Sequence, residues 1–296
     1  VDVGERVGGY EVMEVVARDG ARVACVARPP WQPGRLARVA LDVVAIGQEA
    51  AFTAMAVDEL ALSCAVRHAN LQRLYDVGRD GDRAYVATEL LDGARADELA
   101  ALPHLPLRAA VAVGAAVCAA LDHLHGLVNA RGSLDWVYRD VSPAATHVGC
   151  DGAVRLAYPG QRPWPTPRGP VALRHLAPEQ VRGLRVDTRT DVFHAGALVW
   201  ELVAGRPRFA ADTPDEQVLT RTIREPMLRL SSVRYDVPLA LDNAIARAVA
   251  LDPGARGTIG NLADALQAVG PATARELAGV VRAAFPDRAR RFATLR

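Results

Sequence analysis

VYRDVSPAATHVGCDGAVRLAYPG, running from Val137 to Gly160, is the stretch whose reading decides the fold. An exposed Arg139-Asp140 pair leads into a short loop carrying Pro143. A strand-like hairpin follows, and Gly160 closes the segment. Immediately downstream, Gln161 to Gln180 reads QRPWPTPRGPVALRHLAPEQ, in which Pro163, Pro165, Pro167, Pro170 and Pro178 stiffen the chain towards extended polyproline conformation. Ala177-Pro178-Glu179 ends that segment, Asp191 to Gly196 opens a buried helix, and Arg256 sits in LDPGARGT.

Upstream the pattern is helical from Leu107 to His125. Its uncharged apolar run, Ala109 to Leu121, falls short of the roughly 20 residues that cross a bilayer and reads as a buried core helix. His123 and His125 alternate instead of taking helical ligand spacing, which favours helix-end packing over metal binding. Nearer the start, Tyr10 to Arg28 alternates apolar residues around a turn and predicts a hairpin. Arg38 to Val44 predicts a third strand and Ala50 to Val66 a helix. Leu71 to Val77 and Ala84 to Leu90 predict two further strands about the turn at 78–82. At the other end, Pro271 to Arg296 predicts an amphipathic helix, with Leu277, Val280, Val281 and Phe285 on one side, and then a short basic helix.

Composition bounds the function. With 296 residues, 50% of them hydrophobic, the chain is long and apolar enough for a substantial core. A formal charge of +1 from 35 basic and 34 acidic residues leaves no electrostatic footprint for nucleic acid or an acidic membrane surface. Cys25, Cys64, Cys118 and Cys150 form no CxxC pair, so no zinc site or disulfide framework is expected. The chain opens on Val1 without a secretory signal, and the expected location is cytoplasmic. All 35 basic residues are arginine; there is no lysine.

These motifs, in this order and spacing, resemble the bacterial eukaryotic-like Ser/Thr protein kinases, and YRDVSP and the C-terminal ATARELAGVVRAAFPDRARR look most like the myxobacterial type. The resemblance implies an α+β, bilobal kinase-like fold. Its N-lobe, residues 1–91, would hold a five-stranded antiparallel sheet plus one helix. A mainly helical C-lobe would occupy 92–270, followed by a helical extension over 271–296. Glu179 would pair with Arg256, and Asp191 would help hold the C-lobe together.

The same resemblance exposes missing chemistry. The family's catalytic loop is His-Arg-Asp, with an Asn five residues after the Asp for one magnesium and Asp-Phe-Gly for the other. Here the corresponding residues are Tyr138-Arg139-Asp140, Ala145 and Tyr158-Pro159-Gly160. The glycine-rich loop positions become Ala17, Asp19 and Arg22, and the phosphate-gripping lysine becomes Asp42. Glu59 takes the place of the acid that pairs with that lysine and would meet the Asp42 carboxylate, so either an arginine such as Arg22 or Arg38 pairs with one of the two or the helix stays displaced.

With no lysine anywhere, none from another strand can substitute. The expectation is a pseudokinase, with no catalytic residue, no metal and no cofactor. It would bind another protein, such as an active Ser/Thr kinase or another signalling component, with no nucleic acid and no membrane insertion. The alternative is an atypical nucleotide-binding enzyme of weak or altered phosphotransfer chemistry. Asp140 is expected to organise its loop rather than act as a base. Thr166, between Pro165 and Pro167, is the one phosphorylatable residue between Gln161 and Glu179. Trp164 is expected either to fill a disused pocket or to anchor a partner.

Overall fold

Alternation of apolar side chains builds the first third of the protein. A computed structural model describes residues 1–20, 22–31, 38–45, 64–129, 132–157 and 173–295. The chain divides into two compact units at Leu91 and Asp92. In the first, strands β1 (Arg6–Val7), β2 (Tyr10–Asp19), β3 (Arg22–Arg28), β4 (Val39–Ala45), β5 (Leu74–Asp80) and β6 (Arg83–Glu89) form one antiparallel sheet in the order β1-β2-β3-β4-β6-β5. Val39, Leu41 and Val43 of β4 point to one face and pack with Tyr10 and Val12 of β2. The pleat therefore sends Asp42 to the opposite face.

Two details differ from the sequence reading. The expected five-stranded sheet carries a sixth strand, β1, whose two residues pair with Tyr10 and Glu11 and are too few to show a period. The strand expected at Leu71–Val77 lies three residues later, because Asp80 pairs with Arg83 across a tight turn at Gly81, where φ is +61°. Of the predicted helix at Ala50 to Val66, residues 50–63, with Glu59, lie outside the described residues, and 64–66 are turn and loop rather than helix.

The second unit begins with β7 (Ala94–Arg95), α1 (Ala96–Ala100) and α2 (Leu107–His125). The small hairpin of β8 (Val128–Asn129) and β9 (Gly132–Ser133) follows, then β10 (Thr146–Val148) and β11 (Val154–Leu156), which form a three-stranded sheet with β7. Helices α3 (Pro178–Val181), α4 (Thr188–Ala204), α5 (Asp215–Arg224), α6 (Leu239–Ala248), α7 (Ile259–Ala268) and α8 (Ala274–Ala284) belong to it, as does α9 (Pro286–Leu295) as far as Phe292; the residues from Ala293 on group with the first unit. By length and composition α2 is apolar enough to cross a membrane, but 67% of its apolar window is buried inside the protein, where it packs on α4 and α7. Gly114 permits the approach: a Cβ there would stand 2.3 Å from Val199 on α4. Thr273 and Glu276 cap the N-terminus of α8 reciprocally, and Leu277, Ala278 and Val281 are its buried side.

Candidate functional site

In the first unit the candidate residues cluster on the β2–β3 hairpin and β4. Asp19 stands opposite Arg22 and Ala17 opposite Ala24, with Gly20 turning the chain at φ +54°. Arg22 is in register with Val44, and Asp42 lies two residues along β4 on the same face, so the two side chains are diagonal neighbours. The Nε and Nη2 atoms of Arg22 both donate to Oδ1 of Asp42, at 3.1 and 2.9 Å. Of the two arginines considered for this role, Arg22 therefore takes it. The Asp42 carboxylate is only 12% exposed. Burial pushes its pKa up, against the opposing pull of the Arg22 guanidinium.

In the second unit the loop after β9 is held by Asp191, from the first turn of α4. Its Oδ2 accepts the backbone N–H of Tyr138 at 2.8 Å, and its Oδ1 that of Arg139 at 2.7 Å. The His125 Nε2 lies 2.8 Å from the same carboxylate, which places that histidine at a helix end. This grip holds Arg139 in the left-handed region, at φ +70°, where a side chain other than glycine is strained. Arg139 is exposed and Asp140 partly buried.

Tyr138 is buried, and its hydroxyl donates to the carbonyl of Ala157, the residue before Tyr158. Ala145 closes a short 3-10 turn capped by Ser142. Its carbonyl accepts the Ala157 N–H at 2.7 Å, its N–H bonds Ser142, and its side chain is a buried methyl. An oxygen ligand for magnesium is thus missing at the position the resemblance assigns to one, and the residues present there do not fit that ion. Glu59, Tyr158, Pro159, Gly160, Trp164 and Thr166 lie outside the described residues.

The third group is a buried clamp. Arg256 donates through Nη1 and Nη2 to Oε1 and Oε2 of Glu179, at 2.7 and 2.8 Å. Its remaining donors reach the carbonyls of Ala250, Arg189 and Leu251, and the Phe193 ring lies 4.9 Å from the guanidinium. Thr190 adds a further bond to Glu179 at 2.7 Å. A connection that sequence reasoning missed ties this clamp to the loop. Gln180 donates to the carbonyl of Arg139 at 2.9 Å, while its Oε1 meets Nε2 of His194 and the N–H of Ala177, both at 2.9 Å. Gln180 follows Ala177-Pro178-Glu179 directly, and that adjacency was the only available signal.

A family profile described as "Protein kinase domain" matches residues 37–265. Among curated proteins the chain is similar to the serine/threonine-protein kinase PknB of Mycolicibacterium smegmatis, 29% identical over 211 residues, covering 66% of this chain and 32% of that protein. It is also similar to the serine/threonine-protein kinase PknL of Mycobacterium tuberculosis, 32% identical over 194 residues, covering 63% of this chain and 47% of that protein. The chain thus spans from about a third to about half the length of these relatives. Among solved structures, the PknI kinase domain of Mycobacterium tuberculosis matches with a TM-score of 0.69 at 25% identity, covering 90% of this chain and 98% of that one. With the profile spanning most of the chain, and with a kinase-like sheet unit and helical unit both in place, the chain belongs to the protein kinase domain family.

Proposed function

We propose that this chain is a catalytically inactive member of the family. In this reading it is a cytoplasmic, protein-binding scaffold that biases the state of another signalling protein, such as an active Ser/Thr kinase. Residues 1–91 and 92–270 are read as its two lobes and 271–296 as an extension.

The observation that carries the reading is the Arg22–Asp42 pair. The position expected to grip phosphate with a lysine holds a carboxylate, and the third glycine position supplies its counter-ion. Both groups are engaged with each other. Phosphoryl transfer depends on positive charge and metal around the transferred group. Losing one well-placed electrostatic stabiliser costs on the order of 3 kcal/mol of transition-state stabilisation, and although such losses do not add, several together leave little rate. Glu179, Arg256 and Asp191 keep their bonds, which supports a reading in which the fold outlasts the chemistry.

A second reading, an atypical nucleotide-binding enzyme of altered phosphotransfer chemistry, is favoured by one observation: the backbone just before Asp140 is firmly positioned by Asp191 and Gln180. The names of the relatives agree with it. A thermal-shift titration with ATP and ADP, with and without magnesium or manganese, separates the two. Saturable binding at a hundredfold excess over Kd stabilises by about 2.7 kcal/mol. No shift across the series is expected. A saturable, metal-dependent shift that disappears in Arg22→Ala would overturn the expectation that nucleotide is not bound, and an assay for transfer would then decide whether the chain is inactive.

A further inference from the structure

Arg139 is strained, at φ +70°, and its two peptide groups are held by different elements. Its N–H donates to Oδ1 of Asp191 on α4, at 2.7 Å, and its carbonyl accepts from Nε2 of Gln180 on α3, at 2.9 Å. Returning Arg139 to a negative φ is a rotation about its N–Cα bond. That rotation must turn either the peptide in front of the residue, carrying the N–H away from Asp191, or the carbonyl behind it, carrying the oxygen away from Gln180. Asp191 blocks the first route only.

Gln180 is equipped to block the second. Its side-chain oxygen turns back to the start of α3 and accepts the N–H of Ala177 at 2.9 Å. A backbone N–H can only donate, which fixes the end of the amide that is oxygen and leaves the nitrogen for the Arg139 carbonyl. Nε2 of His194, on α4, meets the same oxygen at 2.9 Å. Burial lowers the His194 pKa to about 4, so the ring is neutral at physiological pH. Nε2 is then its protonated nitrogen, and Nδ1 is buried without a hydrogen-bond partner among the described residues. Two donors from two elements therefore hold the Gln180 amide in one orientation. The residue before it, Glu179, is locked to Arg256, so the backbone that carries Gln180 has a fixed footing.

We propose that Gln180 is a positioning residue whose amide keeps Arg139 in its strained conformation, and with it the peptide that leads into Asp140, by closing the one rotation that Asp191 leaves open. Two stops are needed because a torsion has two ends. The strain persists only while both ends are held, as strained backbone does when its surroundings over-determine it. One stop stands on α4 and the other on α3, so the bend of the loop depends on α3 keeping its seat. This concerns the backbone of the loop and holds for an active or an inactive domain, so it does not rest on the function proposed above.

A double-mutant cycle in urea denaturation of the full chain tests it, at about pH 8, with Arg139→Gly and Gln180→Glu. Glutamate keeps an acceptor for Ala177 and His194 but, ionised at that pH, has no proton to give the Arg139 carbonyl. Glycine is unstrained at positive φ, and its effect on the unfolded chain is the same in both backgrounds. Arg139→Gly is expected to favour folding more in the parent than in Gln180→Glu, by about fivefold in the equilibrium constant, because the variant has already released the strain. Gln180→Ala, which lacks both ends of the amide, takes its place in the cycle if the glutamate variant does not fold. A crystal structure of the variant is expected to show Arg139 at negative φ. An effect of Arg139→Gly that is equal in the two backgrounds, or more favourable in the variant, overturns the proposal, as does a positive φ at Arg139 in the variant.

Discussion

Arg256 offers both of its terminal nitrogens to Glu179, at 2.7 and 2.8 Å, with 0% and 3% of the two side chains exposed. Removing one partner of such a pair strands a buried charge, at a cost of about 3–5 kcal/mol. Arg256→Met is expected to lose that much in urea denaturation, and Arg256→Met with Glu179→Leu to recover most of it. Burial tends to raise the Glu179 pKa, but the bonds from Arg256 and Thr190 bring it below 4.5. Its folded value lies below its unfolded value, so its contribution is complete above that unfolded value and fades as pH falls through the folded one.

Arg22→Ala leaves the Asp42 carboxylate, 12% exposed, without its counter-ion. The expected loss is about 1–2 kcal/mol at neutral pH, towards the lower end because Arg22 is 36% exposed and its pairing is screened. Burial already raises the Asp42 pKa above 3.8 and Arg22 opposes the rise, so the variant's folded pKa climbs further. Stability then falls as pH rises from the unfolded pKa to the folded one. The deficit should therefore be larger at about pH 8 than at about pH 4. Adding Asp42→Asn should remove most of it, as thermal denaturation at the two pH values would record.

Glu201 and His194 lie on the same helix and titrate in opposite senses. Burial raises the Glu201 pKa from 4.5 to about 7 and lowers that of His194 from 6.5 to about 4. Between 4.5 and 6.5 the folded protein holds the Glu201 proton that the unfolded chain releases, which costs stability as pH rises. Over the same interval the unfolded chain holds a His194 proton that the folded protein lacks, which adds stability as pH rises. The two slopes, each at most about 1.4 kcal/mol per pH unit, oppose one another. Glu201→Gln should make stability climb with pH in this window and His194→Asn should make it decline, while the parent stays flatter than either in urea denaturation.

Two glycines with positive φ should respond differently to alanine. Gly20→Ala, with nothing within 4 Å of the added Cβ, is expected to cost about 1 kcal/mol of backbone strain alone. Gly152→Ala brings a Cβ to 1.8 Å from the Ala274 carbonyl as well as straining the backbone. It should cost more than about 2 kcal/mol and loosen α8, read as a lowered Tm and faster amide exchange over 274–284.

The sheet and the helices were legible where a period runs long enough. The β2–β3 hairpin shows in its alternation, and α2 occupies Leu107–His125, the bounds its pattern predicts. β1 was illegible at two residues, and β5 was misplaced because Arg79 and Asp80 look like turn residues although they pair with Ala84 and Arg83. Within the candidate site, Glu179, Arg256 and Asp191 could be placed from motif order. The contacts of Asp191 could not, since it binds main-chain N–H groups 52 and 53 residues away and no side-chain pattern records which amides a carboxylate will meet. The role of Gln180 was hidden for the same reason, because its amide reaches the carbonyl of Arg139.

Asp191 grips positions 138 and 139 through peptide N–H groups, which every residue except proline possesses. Shape and chemistry in this loop therefore rest on different atoms. Position 138 can exchange one ring for another while the bend beside it is conserved by an atom that substitution does not touch. A loop made this way can lose a reaction without losing its form, and remains open to acquiring a different task by changes in side chains alone.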